Sequence, residues 1–214
     1  MMMINAQFSP DGKHLVSNSM DGTVKFCELN NGQWEVKRTI QYPLCFESAR
    51  FSPDGKYLVI PTVTFSDFTD SAELWELVNG KWQKTTTILH SGILTDVHFS
   101  PDGKHFVTAS GDGAVKICGF VGGKWQEKAT IWHSDMVINA SFSRDGKLLV
   151  SASCDGTAKI CGLVGGKWQE IVTIQQSNAV TNASFSPDYQ LVTASKDDTV
   201  KVWVLKNKEN DDNS

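Results

Sequence analysis

The residues of this chain best suited to chemistry are five histidines (His14, His90, His98, His105 and His133) and a recurring set of aspartates. A hydroxyl and an aspartate (Asp112 or Asp155) accompany His90 and His133, and these are the residue types of a nucleophilic triad. A triad is one unique cluster, however, and the aspartate recurs at Asp21, Asp112, Asp155 and Asp197, as a repeated structural brace would. The histidines have no H-x-x-x-H or comparable ligand spacing, so a metal centre has no support. His14 and His105 follow Gly-Lys in equivalent places and are expected to share a surface slot. Gly-Gly-Lys at 122–124 and 165–167 lacks the G-x-x-x-x-G-K-[ST] spacing of a phosphate loop and opens a strand, so it is a hairpin turn. The Asp-Gly turns offer one carboxylate each, short of the several oxygens calcium takes, and such aspartates satisfy their own turn backbone. Cys27, Cys45, Cys118, Cys154 and Cys161 form no C-x-x-C pair and are too scattered for a disulfide framework. Reduced thiols in a cytoplasmic protein are expected, with no catalytic, cofactor-binding or metal residues. The sequons at Asn139 and Asn182 fall inside expected strands.

The elements that carry these residues are set by composition and repetition. In 214 residues, 40% are apolar and 21% charged, an ordinary globular balance. No apolar run approaches the ~18 residues of a membrane-spanning helix, and the N-terminal residues resemble no secretory signal. The net charge of −4 argues against a protein built to grip nucleic-acid backbones. Phe-Ser-Pro-Asp-Gly-Lys recurs, intact or nearly so, from Phe8, Phe51, Phe99, Phe142 and Phe185, at spacings of 43, 48, 43 and 43 residues. Each copy leads into a short apolar run, a polar turn and a second run, and the first four continue into an Asn-Gly or Gly-Gly turn and a Trp-containing segment such as GKWQEKATI. Ile138, Ala140 and Phe142 alternate with polar residues, the period of a half-buried strand. Trp125, Ala129 and Ile131 fall on one expected face of their segment, with Gln126, Lys128 and Thr130 on the other. Pro-Asp-Gly and Asp-Gly supply the tight turns between strands. Four short strands in a period of about 40–45 residues are the mark of a propeller blade.

On these motifs the chain resembles a WD-repeat β-propeller from residue 1 to about 205. Trp75 and Trp203 keep the aromatic that ends the repeat's third strand, and Cys27, Cys118 and Cys161 replace it elsewhere. The following Asp is replaced throughout, by Glu28, Glu76, Gly119, Gly162 and Val204. The resemblance implies a bracing tetrad of His, Ser or Thr, Asp and Trp. His90 and His133 match the His, and Tyr42 and Gln176 stand in for it elsewhere. No unit holds both the His and the Trp, so apolar packing is expected to be the main force holding the blades.

The expected fold is all-β, a WD-repeat-like propeller of five units at about 1–41, 42–89, 90–132, 133–175 and 176–205, four complete and one three-stranded. The polar stretch 206–214 is expected to be a disordered tail. With nineteen strands where a closed ring of five would need twenty, the expectation is an incomplete ring. It would be completed by repeats upstream of Met1 or by self-association through its open ends. Cys27, Cys118 and Cys161 are expected buried and slow to react, and Cys45 and Cys154 faster.

Loops on one face, between the fourth strand of a unit and the first of the next, differ from unit to unit. The second unit adds five residues within 61–71, whereas the opposite turns are nearly invariant. Variable loops on a fixed scaffold are where binding is built. The candidate contacts are Tyr42, Phe65, Phe68, Ile93, Trp132, Asp135 and Met136. The expected function is a non-enzymatic protein-interaction platform that binds protein partners, with neither nucleic acid nor membrane among its ligands. A lectin-like propeller using Trp34, Trp82, Trp125 and Trp168 is the alternative, and an enzyme domain the weaker rival.

Overall fold

A computed structural model describes residues 3–43, 48–63 and 70–205. Its elements are all strands, in five antiparallel sheets that follow the chain. The first sheet holds β1 (Met3–Phe8), β2 (His14–Ser19), β3 (Thr23–Asn30) and β4 (Gln33–Gln41). The second holds β5 (Arg50–Phe51), β6 (Tyr57–Val63), β7 (Asp70–Val78) and β8 (Lys81–His90). The third holds β9 (Leu94–Phe99), β10 (His105–Ser110), β11 (Ala114–Val121) and β12 (Lys124–Trp132). The fourth holds β13 (Val137–Phe142), β14 (Leu148–Ser153), β15 (Thr157–Val164) and β16 (Lys167–Gln175). The fifth has three strands, β17 (Val180–Phe185), β18 (Gln190–Ser195) and β19 (Val200–Val204). Phe65, Phe68, Cys45 and the stretch 206–214 lie outside the described residues.

The turn after each first strand shows why the Ser-Pro-Asp-Gly phrase recurs. The hydroxyls of Ser9, Ser52, Ser100 and Ser143 donate to Asp11, Asp54, Asp102 and Asp145 at 2.5–2.7 Å. Each carboxylate also accepts the amide of the lysine two residues on, at 3.0–3.1 Å. Gly12, Gly55, Gly103 and Gly146 sit at φ of 68–71°, where a Cβ is strained. In the fifth sheet Tyr189 takes that conformation, at φ 60°.

Four apolar clusters fill the gaps between consecutive sheets. The innermost strands β1, β5, β9, β13 and β17 pack in sequence, each on the next. Among the described residues no such packing joins the first sheet to the fifth, so the molecule is an open arc of blades.

Several expectations are corrected here. Trp125 and Ile131 do not share a face: Trp125 packs between the second and third sheets and Ile131 between the third and fourth. The cause is a β-bulge in the fourth strand, where the register passes from Ile117↔Ala129 to Cys118↔Glu127 and leaves Lys128 unpaired. One extra residue reverses the alternation beyond it. The same slip separates Trp82 from Ile88 and Trp168 from Ile174. The tryptophans therefore cover the preceding blade: Trp82 reaches His14 and Phe26, and Trp168 reaches His105. His14 and His105 are accordingly half-buried between blades instead of lying in a surface slot. In β13, a bulge at Ile138 makes Val137 and Ala140 the buried pair. Cys118 and Cys161 are buried as expected, but Cys27, on the first sheet's open flank, is half-buried.

Candidate protein-interaction face

The loop that leaves each fourth strand starts against the second-to-third-strand turn of its own blade and ends against the same turn of the following blade. The amide of His133 donates to the carbonyl of Gly113, and that of Gln176 to Gly156. The Gly111 amide donates to Ile93, and the Cys154 amide to Met136. The variable loops and the second-to-third-strand turns thus form one rim.

Polar braces fix these loops, in addition to the apolar packing that fills the gaps between the blades. In the third blade, Nε2 of His90 lies 2.8 Å from the Thr108 hydroxyl and Nδ1 lies 3.3 Å from Asp112. In the fourth, the corresponding distances are 2.7 Å to Ser151 and 3.1 Å to Asp155. An ionised aspartate only accepts, so Nδ1 donates to it and Nε2 of the neutral ring accepts the hydroxyl proton. Asp112 and Asp155 also accept the amides of Ser91 and Ser134, which pins the start of each loop. Burial lowers both histidines below their ordinary value despite the adjacent carboxylates, so the rings are neutral. Burial opposes ionisation of Asp155, but the Thr157 hydroxyl and the amides of Ser134 and Thr157 outweigh it and hold the carboxyl at about 2. The fifth blade uses Gln176, which donates to the Thr193 hydroxyl at 2.6 Å, while Trp203 Nε1 donates to the same oxygen at 3.0 Å. These groups are spent on each other and on backbone, as a brace and not as a catalytic cluster. No group of three or more potential metal-ligating side chains occurs among the described residues.

The braces leave an apolar rim. Ile93 is 58% exposed and Trp132 59% exposed, and Met136 and Asp135 are also exposed. A Cβ at Gly111 would lie 3.6 Å from the Ile93 backbone and 3.8 Å from Cγ of Met136, so two neighbouring loops converge there. Leu89 and Met20 are exposed on the same rim; the unit alignment, which sets Leu89 opposite Trp132, was the signal that could have found Leu89. Lys116 and Lys159 donate to the carbonyls of Leu89 and Trp132 at 2.7 Å, holding both strand ends in place. Tyr42 is turned inward: half-buried, it donates its hydroxyl to Glu73 at 2.6 Å in the place of the bracing histidine. Phe65 and Phe68 lie outside the described residues. Trp82, Trp125 and Trp168 are buried between blades, so they offer no ring face to a sugar.

A family model described as "WD domain, G-beta repeat" matches residues 4–27, 82–118, 125–161 and 168–204. Each of the three longer matches starts at the tryptophan of one blade's fourth strand and ends on the third strand of the next blade. The equivalent stretch 34–75, which contains the five added residues, is not matched. A search of curated proteins finds no match to the chain.

Proposed function

Because the chain belongs to the WD40-repeat family, we propose that it is a non-enzymatic platform that binds a protein partner on the rim formed by Ile93, Trp132, Asp135 and Met136. WD40 repeats generally mediate protein–protein interaction or scaffolding. The single observation that carries the reading is the exposure of Ile93, Trp132 and Met136 on loops whose backbones are tied down by the blade braces. Rigid apolar and aromatic side chains on a fixed backbone lose little entropy when covered, which is what an interface anchor needs. Asp135 adds an exposed carboxylate beside them and gives the rim polarity for orientation. The free thiols of Cys27, Cys118, Cys154 and Cys161 support a cytoplasmic location.

The test compares capture of cellular proteins by the wild-type chain and by a variant carrying Ile93→Ser, Trp132→Ser and Met136→Ser, followed by direct binding of the purified captured protein. Affinity should fall at least about tenfold, the loss of one interface hot spot, with the melting temperature unchanged. Equal affinity of both proteins for the same partner would overturn the proposal.

A further inference from the structure

Consecutive blades meet through the same two faces four times. The face turned toward the following blade is carried by the second and third strands, as by Val150, Ala152, Ala158 and Ile160 in the fourth blade. The receiving face is carried mainly by the first and second strands and the fourth-strand tryptophan, as by Ala140, Phe142, Leu149 and Trp168 in the same blade. Both faces recur at the ends of the arc, where among the described residues no blade covers them. In the fifth sheet, the registers Val192↔Val202 and Ala194↔Val200 repeat Val150↔Ile160 and Ala152↔Ala158. There Val200 is 70% exposed, and Val202 is also exposed. In the first sheet, the positions of Ala140, Phe142, Leu149 and Trp168 are held by Ala6, Phe8, Leu15 and Trp34. Trp34 is 43% exposed, against 6–7% for Trp82, Trp125 and Trp168. Phe8 is exposed too, its ring 5.4 Å from that of Trp34, the same pairing that Phe142 makes with Trp168.

A polar ladder runs through the last two of these joints. Asp96 accepts the amide of Ala140 at 3.0 Å, and Asn139 accepts the amide of Ala183 at 3.3 Å. Asn182 is the next side chain in that series; it is exposed and has no hydrogen-bond partner among the described residues. The amide that would complete the series is that of Ala6, the first-sheet equivalent of Ala140 and Ala183, and Ala6 is exposed.

We propose that two copies of this chain join head to tail, the fifth blade of one against the first blade of the next, with Val200 and Val202 closing over Phe8 and Trp34 and Asn182 accepting the Ala6 amide. The occupant is a second copy because the two exposed faces are the two halves of a joint that this chain already makes four times within itself. The contact is heterologous, so it runs on into longer assemblies or closes into a ring. It involves neither Ile93, Trp132 nor Met136, so its test is independent of the proposed partner rim.

Sedimentation velocity on the whole chain, on Val202→Glu, on Trp34→Glu and on their equimolar mixture tests it. Wild type should assemble with rising concentration, and each variant alone should be monomeric, with an unchanged circular dichroism spectrum because both side chains are exposed. The mixture should form a dimer and nothing larger, since Val202→Glu keeps its first-blade face and Trp34→Glu its fifth-blade face. Asn182→Ala should weaken assembly about fivefold, the worth of one neutral hydrogen bond. Quenching of tryptophan fluorescence by acrylamide should fall as wild type assembles and Trp34 is covered. A wild-type monomer at every concentration, variants that assemble as wild type does, or a mixture that stays monomeric would each overturn the proposal.

Discussion

His90 and His133 are buried rings that must stay neutral to accept a hydroxyl proton at Nε2 while donating from Nδ1. Burial lowers both below the ordinary value of about 6.5. The unfolded chain therefore takes up protons below about pH 6.5 while the folded chain does not, so stability is full above that pH and falls as the solution is acidified toward the folded values. The melting temperature should drop between about pH 7 and 5, and a His90→Gln plus His133→Gln variant should flatten that drop. Glutamine is the chosen replacement because Gln176 fills the same place in the fifth blade and reaches its hydroxyl at 2.6 Å. A profile as steep as that of wild type would assign the acid sensitivity to other groups. The thiols divide in the same way. Burial pushes Cys161 up to about 12 and raises Cys118 as well, whereas Cys154 is half-buried in a turn. Alkylation of the native chain, read by mass spectrometry, should modify Cys154 at least about tenfold faster than either.

The fourth strand carries two apolar anchors to two different interfaces, and the bulge between them makes this possible. Trp125 fills the joint with the preceding blade, where its ring meets Tyr57 at 5.2 Å, and Ile131 fills the joint with the following one. Identical residue types in equivalent strands should therefore differ in worth according to whether a blade stands beside them. Trp125→Ala should destabilise by about 3–5 kcal/mol, the usual cost of emptying a large buried site. Trp34→Ala, in dilute protein, should cost less than about 1.5 kcal/mol, since much of its ring is already in water. Urea unfolding of the two variants side by side measures this, and equal costs would mean that Trp34 is covered in the monomer.

Each blade gains stability from its neighbours, and the end blades have one neighbour where the middle ones have two. In dilute protein, native-state hydrogen exchange should then be slowest in β10 and β14 and at least about tenfold faster in β2 and β18, whose sheets each leave one face in solvent. Addition of salt or a crowding agent should not reverse that order, because it comes from the number of covered faces. If β2 is as protected as β10, the first blade has a covering partner under those conditions.

The turns and strands were legible in the sequence because they are set locally. Ser, Pro, Asp and Gly close a turn through contacts within a few residues, as Ser52 and Asp54 do, and five copies at near-constant spacing require five like units. The histidine, hydroxyl and aspartate of the brace could be named from types and positions, but not that Gln176 with Thr193 and Trp203 would form a brace of its own. Only the tertiary structure decided which face each anchor serves. A single unpaired residue such as Lys128 reverses the alternation beyond it, and its location depends on pairing with the adjacent strand. Likewise Trp34 and Trp82 are the same residue in nearly the same local sequence, and only the presence of a preceding blade leaves one exposed and the other buried. Tyr42 reads in sequence as a candidate surface anchor, yet the reach of its hydroxyl to Glu73, 31 residues on, turns it inward. Local chemistry fixed the units and their turns, while burial depends on neighbours distant in the chain and was settled only by the packing of blade on blade.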